Sequence, residues 1–125
     1  MATIFELQNP PFGQLTKTKV IKTENGAHTL TTAEIIEGIV DGTPTGNRAI
    51  TTPTAAEIIS ALGTQSGVGQ CFELTIVNKA AATHKFTLTA GSGVTIVGET
   101  DVTADSSGTF IFRVSSSTAV SAFRK

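Results

Sequence analysis

From Gln70 onward, apolar and polar positions alternate along the chain. "CFELTIVN" sets Phe72, Leu74 and Ile76 against Glu73, Thr75 and Val77, the period of a half-buried strand. "HKFTLTA" places Phe86 and Leu88 on one face, and "GTFIFRV" does the same with Phe110, Phe112 and Val114. "GVTIVG" and "TDVTA" are short strands set off by Gly93, Gly98 and a turn at Glu99–Asp101, and "AVSAF" closes with Val120, Ala122 and Phe123. Short strands at regular intervals with turn residues between them predict an antiparallel sandwich or barrel. The strand at 70–78 reads as central, because Cys71 and Val77 keep its second face partly apolar.

The middle of the chain follows a different period. "TTAEII" (Thr31 to Ile36) and "TAAEII" (Thr54 to Ile59) form a near-repeat. Each opens on a Thr suited to N-capping and carries Glu three residues later, the spacing of a capping box. The second copy continues with Leu62 on the stripe of Ile58 and Ile59, and Gly63 stops it, which predicts a short helix over 54–62. The first copy breaks at Gly38 and reads as one helical turn followed by a strand. The match spans too few residues to predict a solenoid.

Residues 1–27 read as an N-terminal arm and 28–125 as the domain. "QNPPFGQ" pairs Pro10 and Pro11 with Gly13, Asn25-Gly26 is a tight-turn dipeptide, and "LTKTKVIKT" between them alternates like an exposed strand. Phe5 and Phe12 stand as isolated apolar anchors of a strap that docks on a neighbour, with Lys17, Lys19 and Lys22 steering it toward an acidic surface. A first edge strand of the domain is the equal alternative for this stretch.

Composition adds to the β reading. Of 125 residues, 22 are the β-branched Thr, which suits pleated, half-exposed surfaces, and there is neither Trp nor Tyr. The length fits one domain. Nine Lys+Arg against ten Asp+Glu leave a net charge of −1, without the basic footprint of a nucleic-acid binder. One cysteine allows no intrachain disulfide, and no run approaches the roughly 20 apolar residues of a membrane span. The start has no basic, apolar leader, so synthesis in a host cytoplasm is expected.

Candidate chemistry is sparse. "LGTQSGVGQC" places glycines before the lone Cys71, but a phosphate loop leaves a strand and opens a helix, and here a helix precedes and a strand follows. Cys71 with His28 or His84 has no local signature of a nucleophile–base pair, and the three follow no metal-ligand spacing. Cys71 is expected as a small buried hydrophobe. Glu99 and Asp101, two apart, are more simply solvated than cation-binding. No catalytic, cofactor-binding or metal residues are assigned.

The ordered series of a "TGNR" turn, a "TTPTAAEI" helix start, a "VGQCFELTIVN" strand and "LTAGSGVTIVG", covering Thr29 to the C-terminus, resembles a family of small virion structural or capsid decoration (cement) proteins of tailed phages and related large DNA viruses. The resemblance implies a jelly-roll-like antiparallel β-sandwich that assembles as a homotrimer on the capsid exterior, against the major capsid protein or another virion protein. It brings no catalytic residues, cofactor, membrane, nucleic acid or small-molecule substrate. The arm at 1–27 lies outside it, and Cys71 departs from the small hydroxylated or apolar residue expected there. The alternative from another class is a receptor- or glycan-binding head of a viral tail or fibre. The lack of Trp and Tyr counts against sugar stacking, and there is no heptad or collagen-like stalk.

Overall fold

The computed structural model describes residues 21–125, so Phe5, Phe12, Lys17 and Lys19 lie outside the described residues. In chain order the elements are β1 (Ile21–Thr23), β2 (His28–Thr29), α1 (Thr32–Ile35), β3 (Ile39–Gly42), β4 (Arg48–Thr51), α2 (Ala55–Leu62), a 3-10 turn (Gly63–Gln65), β5 (Cys71–Asn78), β6 (Phe86–Thr89), β7 (Val94–Val97), β8 (Asp101–Val102), β9 (Ser106–Val114) and β10 (Val120–Arg124). The fold is all-β in class, two sheets with two short helices.

Both helices begin as the near-repeat predicts. Thr31 Oγ1 accepts the Glu34 N–H at 3.2 Å, and Glu34 returns the favour to the Thr31 N–H at 2.9 Å. Thr54 and Glu57 repeat the exchange at 3.2 and 2.9 Å. Each such cap stabilises its helix by about 1 kcal/mol. The lengths differ because the exits differ. After α1 the chain leaves through Ile36 in an extended conformation and Glu37 at φ 57°, straight into β3. The longer α2 runs two turns to Gly63 at φ 59°, the stop expected there.

The strands alternate between sheets. β1, β3, β5, β7, β9 and β10 form a six-stranded sheet in the order β1-β3-β5-β9-β10-β7, and β2, β4, β6 and β8 form a four-stranded one. β5 lies between β3 and β9, central as its composition predicts. The antiparallel expectation holds for β5/β9, β9/β10 and β6/β8 only. The other five ladders are parallel. A chain that visits the opposite sheet between neighbouring strands returns in the same direction, whereas a jelly roll is wound from antiparallel Greek keys. The near-repeat marks this winding. Its copies follow β2 and β4, which pair in parallel with His28 opposite Ile50 and Thr29 opposite Thr51. At Gly42 the Glu24 carbonyl occupies the place of a Cβ, so glycine lets the β1–β2 turn lie against β3.

The core lies between the sheets. Phe72, Leu74, Ile76, Phe110, Phe112, Val120 and Ala122 line it from one side, and Ile50, Phe86, Leu88 and Val102 from the other. Ile35 of α1 and Ile58 of α2 complete it. At the β1/β2 end the inward positions turn polar, with Lys22 opposite Val40 and His28 opposite Ile50. Ile21–Thr23, near the end of the stretch read as an arm, form an edge strand of the larger sheet.

Candidate functional site

An open groove of about 690 Å³ lies between the β2–α1 connection and α2. Thr29, Thr31, Thr32, Ser60 and Glu57 give it hydroxyls and a carboxylate, over apolar Leu30, Pro53, Ala56 and Ala61. The near-repeat builds it, since each capping box turns the chain outward at the same point of successive parallel strands. Glu57 Oε1 is held by the Thr54 N–H and hydroxyl. The arrangement offers hydrogen bonds to a polar ligand.

The ionisable residues brace the fold. At the polar end of the core, His28 Nε2 lies 3.0 Å from Glu34 Oε1, and Nδ1 lies 3.7 Å from Glu24. Lys22 Nζ sits 3.8 and 3.9 Å from Glu24 and Glu34. Burial pushes the Glu34 carboxyl up, but the Thr31 N–H, His28 and Lys22 together hold it below the ordinary value. Lys22, expected to steer a partner, is thus engaged within its own chain. Asp41 accepts from the Thr23 hydroxyl at 2.9 Å and from Lys79 at 3.2 Å, tying β1 and the β5–β6 loop to β3.

Asp101 answers the cation question raised by Glu99 and Asp101. Its carboxylate takes the Lys85 ammonium at 2.6 Å and the Thr87 hydroxyl at 2.7 Å, so the cation there is Lys85. Among the described residues no group of three or more His, Cys, Asp or Glu is placed to hold a metal ion. No helix among them is long and apolar enough to cross a membrane.

Hydrogen bonds from Lys85 and Thr87 hold the Asp101 carboxyl below its ordinary value, and the bond to Asp101 holds Lys85 above its own. The stabilisation is fully present above the ordinary Asp value and is lost as pH falls through the depressed one. On the alkaline side it is lost as pH rises through the raised Lys85 value. Asp101→Asn is therefore expected to melt below the wild type at neutral pH, and the gap should close in acid. Thermal melts of both proteins from pH 7 down to pH 2 check this; a gap that persists in acid would assign the loss to something other than the ion pair.

Cys71 corrects an expectation. It is a free, exposed thiol on the outer face of β5, not a buried hydrophobe. The burial pattern of β5 is the reason. Phe72, Leu74, Ile76 and Asn78 point inward, so Cys71 falls in the outward set, opposite Arg113. His28 is bound to Glu34 across the polar end, and His84 lies in the loop before β6, where its carbonyl accepts from Asn78.

Two features went unread in the sequence. Asn78 ends the inward row of β5 and is 1% exposed. Its amide donates to the carbonyls of His84 and Val102, both at 2.9 Å, and its Oδ1 accepts the Ala80 N–H at 2.9 Å. The signal was present, since Asn78 continues the alternation of Phe72, Leu74 and Ile76. The second is an exposed apolar row on the outer face of the six-stranded sheet, where Val97 lies opposite Phe123 and Phe123 opposite Ile111. Phe123 had been grouped with the inward Val120 and Ala122. Comparison of the chain with family models, curated proteins and solved structures finds no match.

Proposed function

We propose that this chain is a non-enzymatic structural protein of a virion, decorating or cementing the capsid exterior as a trimer and stabilising contacts between capsomers. The observation that carries the reading is how its charged groups are used. Lys22, Glu24, His28 and Glu34 close one end of the core, Asp41 ties Lys79 and Thr23, Asp101 ties Lys85 and Thr87, and Glu73 meets Lys125. Such bracing suits a small domain that must hold its shape on a shell. The sequence resemblance supplies the virion, the homotrimer and the major capsid protein as partner, and synthesis falls in the host cytoplasm. Of the jelly-roll likeness, this reading needs only two packed sheets.

A second reading, a receptor- or glycan-binding head of a tail or fibre, is favoured by the hydroxyl-lined groove between the β2–α1 connection and α2. Copy number in purified particles separates the two. Decoration requires copies in proportion to capsomers, and a tail part requires one small set per particle. Absence from purified particles would sink both.

A further inference from the structure

Asn25, Asn47 and Asn78 are the asparagines among the described residues, and each uses its side-chain oxygen in the same way. Asn25 Oδ1 accepts the Thr43 N–H at 2.8 Å, Asn47 Oδ1 the Lys85 N–H at 3.2 Å, and Asn78 Oδ1 the Ala80 N–H at 2.9 Å. They differ in what holds the N–H of the next residue. The Arg48 N–H donates to the Lys85 carbonyl at 2.9 Å, and the Lys79 N–H to the Gly42 carbonyl at 2.8 Å. The Gly26 N–H donates instead to a carboxylate, Glu24 Oε1, at 3.3 Å. Asn25 is also exposed, in the bend between β1 and β2, and the residue after it has no side chain to crowd its nitrogen.

We propose that Asn25-Gly26 is a self-modification site, where the Gly26 nitrogen closes on the Asn25 side chain to a succinimide that water opens to aspartate or isoaspartate. The Gly26 nitrogen bonds to Asn25 Cγ and gives its proton to Glu24 Oε1, the general base. Negative charge gathers on Asn25 Oδ1, where the Thr43 N–H donates as it would in an oxyanion hole. The Cγ–Nδ2 bond then breaks, and Nδ2 leaves as ammonia with the proton that Glu24 returns. Water next attacks either carbonyl of the ring. Opening at Cγ gives aspartate, and opening at the backbone carbonyl of position 25 gives isoaspartate.

The products alter the end of both sheets. Aspartate keeps an oxygen for Thr43 but sets a new carboxylate beside Glu24, in the cluster of Lys22, His28 and Glu34. Isoaspartate routes the chain through the former side chain and lengthens the bend by one carbon. The bend has no slack for it. The Glu24 N–H bonds the Asp41 carbonyl at 2.9 Å, and the Glu24 carbonyl lies where a Cβ of residue 42 would stand. Isoaspartate therefore loosens β1 from β3, a change that accumulates with the age of the molecule.

The test ages full-length protein at neutral pH, well below its melting temperature, and follows ammonia release, intact mass and peptide maps. The expected result is loss of the amide at position 25, with isoaspartate recovered there, while Asn47 and Asn78 stay intact. A chain held unfolded in urea supplies the reference, and Asn25 should react faster folded than unfolded. Slower reaction in the folded chain would show that the bend protects Asn25 and would overturn the proposal. Glu24→Gln keeps an oxygen for the Gly26 N–H but cannot take its proton, so it should slow the loss about ten-fold. An unchanged rate in that variant, folded by circular dichroism, would remove Glu24 as the base and the proposal with it. Gly26→Ala is the second variant, and the fold accommodates it, since a Cβ there meets only Glu24 Oε1 at 3.7 Å. It should suppress the reaction, and an unaltered rate would rule out attack by that nitrogen.

Discussion

Asn78→Leu is expected to lower the stability of the domain by about 3–5 kcal/mol, measured by urea denaturation of the purified protein. Asn78 is the side chain that closes the joint between the two sheets. Its amide bonds the carbonyls of His84 before β6 and Val102 in β8, and its oxygen holds the Ala80 N–H just after β5. Leucine has the same branching but neither donates nor accepts, so the His84 and Val102 carbonyls and the Ala80 N–H lose the hydrogen bonds Asn78 gives them. A buried polar group so orphaned costs about 1–3 kcal/mol, and three of them outweigh the gain from an added apolar side chain. Asn78→Asp separates volume from hydrogen bonding. It keeps the acceptor for Ala80 but faces two carbonyls with a carboxylate, so it should be no better than leucine at neutral pH. A leucine variant as stable as the wild type would mean that water enters the joint and serves these groups.

The capping boxes, the stop at Gly63 and the burial of Phe72, Leu74, Ile76, Phe110 and Phe112 were legible because each depends on residues close in sequence. Strand direction was not. Alternation reports which face of a strand is buried and is blind to the direction of its neighbour, so parallel β3/β5 and antiparallel β5/β9 look alike in sequence. The near-repeat held the missing information. Two capping boxes at the same point after β2 and β4 mark two turns of one winding, and the short match hid it. Cys71 was misplaced because its residue type was weighed above its parity; it is odd where the buried set of β5 is even. The groove was illegible for a different reason. Its two walls, Thr29 to Thr32 and Pro53 to Ala61, meet only through the pairing of β2 with β4. The bracing pairs Lys85–Asp101 and Lys79–Asp41 likewise join residues that only the folded sheets bring together.

Phe112→Ala should cost about 3–5 kcal/mol, the range for truncating a fully buried aromatic ring. Phe112 is fully buried in the central ladder, and its ring stacks on Phe72, the directly paired residue of β5, with centroids 5.1 Å apart and planes 4° from parallel. Removing it opens a cavity between the strands that join the first part of the sheet, β1-β3-β5, to the last, β9-β10-β7. Neither neighbour can collapse into the gap without breaking the β5/β9 register, which extends from Cys71 opposite Arg113 to Asn78 opposite Ser106. Phe72→Ala alone should cost less, because Phe72 is 5% exposed whereas Phe112 is fully buried. The two losses should not add. A stacked pair carries about 0.5–1.5 kcal/mol of mutual energy beyond burial, so the double variant should fall short of the sum by about that amount. Full additivity in a double-mutant cycle would show that the rings merely fill space. For a domain whose total stability is on the order of 5–15 kcal/mol, the single change at Phe112 leaves little reserve. It should therefore loosen β10 and β7 as well, and Phe112→Ala is expected to melt well below the wild type in a thermal scan.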